Sequence, residues 1–481
     1  MATPAPQSSK AVFTTGSTMR HVIVMTATSS VGLVSIFLVD AINLFYISLL
    51  GQQELAAAIG YSATIMFVTI SVCVGASIAT AALVGRALGA EDLEKARGRS
   101  MSSLLFVLVL TIILTFALYP SLPAFLGLLG ASGETLQLAV SFMQIVVPSI
   151  PLMGIGICLS ALLRARGDPK RAMYVTLSGG AAALVLDPIL IFGLDLGITG
   201  AAIAIVLVRC ILVIVGLWGV VRVHNMLGRL DLNLTIKDTR PFLAIALPAI
   251  ATQLATPVGN AYVTRTIAEF GDDAVAGWAI IGRLLLVAFG VIFALSGSVG
   301  PILSQNYGAK AFGRVNSTMR DALIFTLVYC LAMWAILALS RNWIIFAFDA
   351  TGEAAALIEV FCLIVAGSYL FSGALFVANA AFNNLGYPML ATAFNWGRAT
   401  LGIIPFVMVG SQYGADGVLV AWGLGAVVFG AGAVLVAFRQ IHKLPERDSD
   451  NLPAPNLPPS ANSTFATGKA ASFVVEPRNR D

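Results

Sequence analysis

The feature that most constrains this chain is a succession of about twelve apolar runs, separated by short polar or Gly/Pro breaks. A spanning helix needs about 20 largely apolar residues. Runs of that kind fall near 21–50, 55–84, 100–119, 135–163, 172–194, 198–221, 242–268, 274–303, 320–347, 354–382, 389–410 and 415–438. Their apolarity is continuous, without the period of two that a transmembrane β-strand shows, so the expected fold is an all-α bundle of twelve membrane-crossing helices. Composition agrees: 58% of residues are hydrophobic and 11% charged, against roughly 25% charged in soluble proteins. So few charges cannot coat a body of this size, which makes the lipid bilayer the solvent for most of the surface and excludes an ordinary soluble enzyme.

The net charge of +4 does not point to nucleic acid, because the basic residues sit in small groups between apolar runs. The segment before the first run and the loops that follow every second run carry Lys10, Arg20, Arg86, Lys95, Arg97, Arg99, Arg164, Arg166, Lys170, Arg171, Arg222, Arg229, Lys237, Arg240, Lys310, Arg314, Arg320, Arg439, Lys443 and Arg447. The opposite loops carry mainly acids: Glu54, Glu134, Asp195, Asp272, Asp273, Asp349, Glu353 and Asp416. By the positive-inside rule, both termini are expected in the cytoplasm of a cell whose inner (plasma) membrane holds the chain. The polar stretch 1–19 reads as a cytoplasmic tail, and the first apolar run is too long for a signal-peptide core. Residues 440–481, rich in Pro, Ser, Asn and Asp, read as a disordered cytoplasmic tail, so the sequon at Asn462 would meet no glycosylation enzyme.

Five cysteines scattered singly in apolar runs and three histidines at the ends of runs suggest neither a metal site nor His-based catalysis. No organic cofactor is expected; the driving force would be a transmembrane proton or sodium gradient.

The chain repeats itself. Leu50-Gly51-Gln52-Gln53 before an Ala-rich run has its counterpart in Phe270-Gly271-Asp272-Asp273, about 220 residues later. Gly85-Arg86-Ala87-Leu88-Gly89-Ala90 matches Ser304-Gln305-Asn306-Tyr307-Gly308-Ala309, and Arg166-Gly167-Asp168-Pro169 matches Leu385-Gly386-Tyr387-Pro388. Six helices is an even number, so two lobes, 20–221 and 242–439, insert alike and are related by a pseudo-twofold along the membrane normal, with 222–241 as a cytoplasmic linker. Such a duplication leaves a cleft between its halves, where a secondary transporter keeps its substrate.

Several of these residues carry a family resemblance. Val39-Asp40, Gly51, Gly85 to Ala90, the Arg-Gly-Asp-Pro loop at 166–169, Leu186-Asp187-Pro188 and Gly200-Ala201-Ala202 occur in the order found in multidrug and toxic compound extrusion (MATE) transporters. The sequence resembles their DNA-damage-inducible (DinF-like) branch, and the resemblance spans about 20–440. It implies a monomeric antiporter that exports hydrophobic organic cations, drugs or toxic metabolites, by alternating access, with a carboxylate pair in the first lobe. A lipid-linked glycan flippase of the same superfamily is the alternative within transport, and a channel is a more distant one. The absence of a GxxxxGK[ST] loop excludes an ATP-driven pump.

The charge census reaches the same pair independently, since Asp40 and Asp187 are the acids well inside predicted spans. At ~1.5 Å per residue from the basic residues Arg20 and Arg171, they lie about 30 Å and 24 Å up the bundle. An intramembrane carboxylate costs on the order of 2.5–3.5 kcal/mol and marks an ion or proton site. Two in one low-dielectric pocket should share a proton. Asn43 is a candidate supporting ligand, and Pro188 frees the carbonyl of Leu184 as another acceptor. Tyr46, Tyr61, Met66, Met153, Asn260 and Trp278 are candidate cleft residues, with core packing as the alternative for the aromatic and Met positions. Asn260 is the approximate repeat-equivalent of Asp40, so the second lobe lacks the acid.

The second-lobe acids of norfloxacin-exporter-type relatives align to Thr256 and Ala374, so that site is absent. Ala183 and Ile205 stand where the DinF-like branch has Asn and Thr, which leaves few oxygens for a sodium ion. Arg209, Arg265, Arg283 and Arg398, within or near the ends of spans, are expected to snorkel or to pair with backbone carbonyls.

Overall fold

The computed structural model describes residues 11–48 and 53–446, at 37–45, 47, 48, 53 and 56 through the backbone alone. Residues 1–10 and 447–481, most of the two tails, and the side chains of Asp40 and Asn43 therefore lie outside the described residues. A short 3-10 turn (Val12–Thr14) leads into helices α1 (Thr18–Ser48), α2 (Gln53–Gly89), α3 (Leu93–Leu128), α4 (Gly133–Val146), α5 (Ile150–Arg166), α6 (Pro169–Pro188) and α7 (Gly197–Leu217). The second half comprises α8 (Leu232–Ala268), α9 (Asp272–Gly308), α10 (Phe312–Ala347), α11 (Gly352–Val360), α12 (Ala366–Leu385), α13 (Pro388–Gly397), α14 (Ile404–Gly410) and α15 (Gly414–His442). No strand occurs among the described residues.

Eleven segments are long and apolar enough to cross a bilayer, and the last of them, Pro388–Glu446, is 59 residues long and reverses at Gly414. The chain thus crosses twelve times. Large apolar side chains such as Phe116, Leu128, Leu339 and Phe346 are exposed around the bundle, the surface of a multi-pass membrane protein.

The duplication is legible in backbone angles. Left-handed residues recur 219 positions apart: Glu91 and Lys310, Gly130 and Asp349, Gly133 and Gly352, Gly167 and Gly386. At the last pair the physical cause is plain, since each glycine ends a helix in the left-handed region and a proline two residues later opens the next, α6 or α13. The copies differ at the N-cap: the Asp168 carboxylate accepts from the backbone N–H of Arg171 at 3.1 Å, whereas Tyr387 makes no such bond.

At the stretch 222–241, a π-helical turn (Trp218–Val223) continues α7, and α8 begins at Leu232. Asp231 sets that start by accepting from the backbone N–H groups of Asn233 and Leu234, satisfying donors that a helix leaves open at its first turn.

Candidate functional site

Interlobe hydrogen bonds among the described residues gather at mid-depth and at the end of the bundle that carries the basic loops. Gln305, fully buried near the end of α9, donates from Nε2 to the carbonyl of Ala165 on α5 at 2.7 Å and accepts from the backbone N–H of Phe13 at 2.9 Å. The Phe13 carbonyl accepts from Asn306 Nδ2 at 3.2 Å and Arg314 Nη2 at 2.8 Å. Across the same seam Arg86 Nε donates to the carbonyl of Asn384 at 3.0 Å and stacks its guanidinium over Tyr307. Deeper in, Ser298 Oγ meets Ser29 Oγ at 3.1 Å and the carbonyl of Met25 at 3.2 Å. Small residues let the backbones close. A Cβ at Gly89 would overlap the carbonyl oxygen of Gln305, and one at Gly308 that of Arg86. Without a hydrophobic drive between helices in lipid, such contacts and hydrogen bonds hold the lobes together.

Asp187 is 3% exposed, one residue before Pro188, where α6 passes into a π-helical turn (Ile189–Gly193). That turn closes with the N–H of Leu194 on the carbonyl of Ile189 at 2.8 Å. π-turns recur at functional sites, and Pro188 supplies a local cause here by removing one ladder donor. The Leu184 side chain points out of the bundle, so only its carbonyl is available to the site. Ala183 is buried, and Ile205 is half-buried against the first-lobe apolar cluster. Helix α1 runs along α6, with Gly32 tight against the Thr176 side chain. Along their helices Asp40 lies about 12 Å and Asp187 about 16 Å beyond that contact.

The candidate cleft residues separate into two groups. Tyr46, Tyr61, Met66 and Met153 join one first-lobe cluster with Cys73, Met143, Ile191 and Ile198, and Tyr46 meets Phe192 edge-on at 6.0 Å. Asn260 and Trp278 belong to the second lobe, where Trp278 Nε1 donates to Thr264 Oγ1 at 2.9 Å and its ring meets Trp422 edge-on at 5.4 Å. The buried Arg209, by contrast, follows the carbonyl-pairing expectation. Its Nη1 donates to Val146 O at 3.1 Å and Ser149 Oγ at 2.7 Å, where Pro148 interrupts the α4–α5 pass. Arg265 and Arg283 are exposed.

One arrangement was not anticipated from the sequence. Thr392, Asn395 and Arg398 recur every third residue on α13 and its π-helical continuation (Arg398–Gly402). They meet polar partners on α8 and α12: Thr392 Oγ1 lies 3.1 Å from Thr252 Oγ1, Asn395 Nδ2 donates to Asn379 Oδ1 at 2.9 Å, and Arg398 Nη2 donates to Thr256 Oγ1 at 3.3 Å. The i, i+3 spacing of polar residues inside an apolar run was the available signal.

A duplicated twelve-pass bundle, joined at one end and carrying a buried carboxylate beside a π-turn, has the architecture of a membrane transporter. The MatE family model matches residues 27–189 and 248–408, and the chain belongs to that family. It is similar to an FAD transporter of Shewanella oneidensis, 26% identical over 90% of this chain and 97% of that one. The multidrug export protein MepA of Staphylococcus haemolyticus is 25% identical over 80% of this chain and 84% of its own. Among solved structures, the Vibrio cholerae MATE transporter VcmN, in a mutant form, superposes with a TM-score of 0.84 at 24% identity, covering 89% of this chain and 97% of its own. A MOP superfamily transporter from Pyrococcus furiosus gives 0.84 at 19% identity, covering 92% and 99%.

Proposed function

We propose that this chain is a secondary active antiporter that exports hydrophobic organic compounds in exchange for protons, with Asp40 and Asp187 as the coupling pair. The observation that carries the reading is Asp187, a carboxylate 3% exposed at membrane depth on the helix packed along α1. A sodium ion needs several oxygens to replace its hydration shell. The side chains one turn before Asp187, Ala183 and Leu184, offer none, whereas a proton needs one carboxylate oxygen and one acceptor. Asn43 and the Leu184 carbonyl beside Pro188 serve as supporting acceptors.

In the proposed orientation the basic end faces the cytoplasm of the cell that bears the protein in its plasma membrane, and both termini lie there. The joined basic end then corresponds to the outward-facing state. Protonation of the pair from outside repacks α1 against α6, and cargo held between the lobes is released before the lobes rock. The multidrug exporters and the FAD transporter among its relatives fit a roomy cleft for organic cargo.

Dye efflux from proteoliposomes under separately imposed gradients tests this reading. Efflux should follow a pH gradient in sodium-free buffer and be lost in Asp187→Asn and Asp40→Asn, with Asn260→Ala much milder. Strict dependence on a sodium gradient at constant pH, or near-normal efflux by both aspartate variants, overturns it.

A further inference from the structure

The second lobe holds a positive charge that its own residues do not neutralise. Arg398 is 8% exposed, and about 15 Å of helix separates it from Pro388 at the basic end, which puts it near the bilayer midplane. Its Nη2 reaches Thr256 Oγ1, while Nε makes no hydrogen bond. No carboxylate among the described residues pairs with it; the ionisable side chain that bears on it is the Tyr369 phenol, itself buried and stacked on Phe289.

The contrast with Arg209 is informative. Both are buried mid-span arginines, yet Arg209 has a carbonyl and a hydroxyl as acceptors and reads as a brace for the broken α4–α5 pass. Arg398 braces no carbonyl. A buried guanidinium with a free donor is expensive unless something else neutralises it. The backbone points the same way: Arg398 opens a π-helical turn, and the facing α8 carries Pro257 beside Thr256. Irregular backbone at membrane depth is tolerated where it is buried in protein or lines a cavity.

We propose that Arg398 is an anion-binding residue of the second lobe, holding the carboxylate or phosphate of an amphiphilic organic molecule, with the Thr256 hydroxyl beside it. This rests on the transport reading only in making that molecule the cargo. The planar guanidinium suits either oxyanion, whose approach would give the covered Nε the acceptor that it lacks. The polar rungs Asn379–Asn395 and Thr252–Thr392, which continue from Arg398 toward the basic end, hold α13 against α12 and α8 and fix the height of the charge. Cation export, which the family resemblance implies, is not what this residue would favour.

Calorimetric titration of the full chain in lipid nanodiscs, with no ion gradient, tests the proposal with two matched pairs of probes. Riboflavin 5′-phosphate against riboflavin reports on phosphate, and indole-3-butyrate against indole-3-butanol reports on carboxylate. The wild type should prefer the anion in at least one pair by about tenfold or more, the scale of a charge-assisted hydrogen bond. Whichever pair discriminates names the oxyanion. Arg398→Gln should erase the preference while melting at or above the wild-type temperature, and Arg398→Lys should retain part of it. No preference in either pair, or a preference that survives Arg398→Gln, overturns the assignment. Because no gradient is applied, a failure of coupled efflux leaves this result standing, and the reverse holds too.

Discussion

The Gln305 side chain reaches from the second lobe to the first and donates to the carbonyl of Ala165 at 2.7 Å, while its own oxygen accepts the backbone N–H of Phe13. One buried amide thereby ties α9, α5 and the segment before α1 into a single contact. Without that amide the Phe13 N–H and the Ala165 carbonyl lose the partner they have in the structure, and an unsatisfied buried polar group costs about 1–3 kcal/mol.

Gln305→Leu keeps the volume and deletes both bonds. It should weaken the closed basic end by about that amount, enough to change the population of the closed state severalfold. Spin labels at Glu94→Cys and Asn316→Cys, on exposed positions of opposite lobes, should show a new long-distance population in electron–electron distance measurements. An unchanged distribution would mean that the seam is held by its other contacts alone.

Gly89→Ala addresses the same seam sterically. The new methyl would meet the carbonyl oxygen of Gln305, a backbone atom that cannot rotate away. Expected outcomes are a melting temperature lowered by several degrees and the same shift of label distances. Gly282→Ala, where a Cβ meets open space, should leave both unchanged.

The number of crossings and the two-lobe repeat were legible in the sequence because lipid imposes a length and an apolarity on every span. The turn glycines were legible because the left-handed region at positions such as Gly167 and Gly386 favours glycine, and they recur in both halves. Asp187 was conspicuous as a charge within an apolar run, and its burial follows. Less visible was the start of α8 at Leu232, since a helix leaving the bilayer with a polar face reads as a linker until its N-cap at Asp231 is recognised. The seam on α13 was hidden for a different reason. Thr, Asn and a single Arg are individually unremarkable in a span, and only their common face, with Thr252, Thr256 and Asn379 brought opposite by α8 and α12, makes them a unit.

The α5–α6 loop should respond to acid. Burial pushes the Asp168 carboxyl up, but hydrogen bonds from His224 at 2.8 Å and from the Arg171 side chain and backbone, with the Arg171 charge, outweigh it and hold the carboxyl well below the usual range. A group whose folded pKa is depressed adds stability above its unfolded value, near 3.9, and loses it as pH falls toward the folded value. Asp168→Asn should therefore melt lower than wild type by a constant margin at pH 5 and above, and that margin should shrink below about pH 4. A margin that grows on acidification would show the pairing to be unfavourable.

The two buried arginines should behave oppositely when neutralised. Removing Arg209 leaves the Ser149 hydroxyl bonded to the Val146 carbonyl at 2.7 Å but takes away the charged donor that ties both to α7, so Arg209→Gln, too short to reach both, should cost about 1 kcal/mol with or without ligand. Arg398→Gln instead removes a buried charge whose hydrogen-bond partner in the structure is a single hydroxyl. Deleting an uncompensated charge relieves its desolvation, so unliganded Arg398→Gln should melt at or above the wild type. Thermal unfolding of both variants in the same lipid nanodiscs checks the pair of signs. A destabilised Arg398→Gln would make that residue a brace like Arg209, and a stable Arg209→Gln would mean that the broken α4–α5 pass holds its shape without a donor.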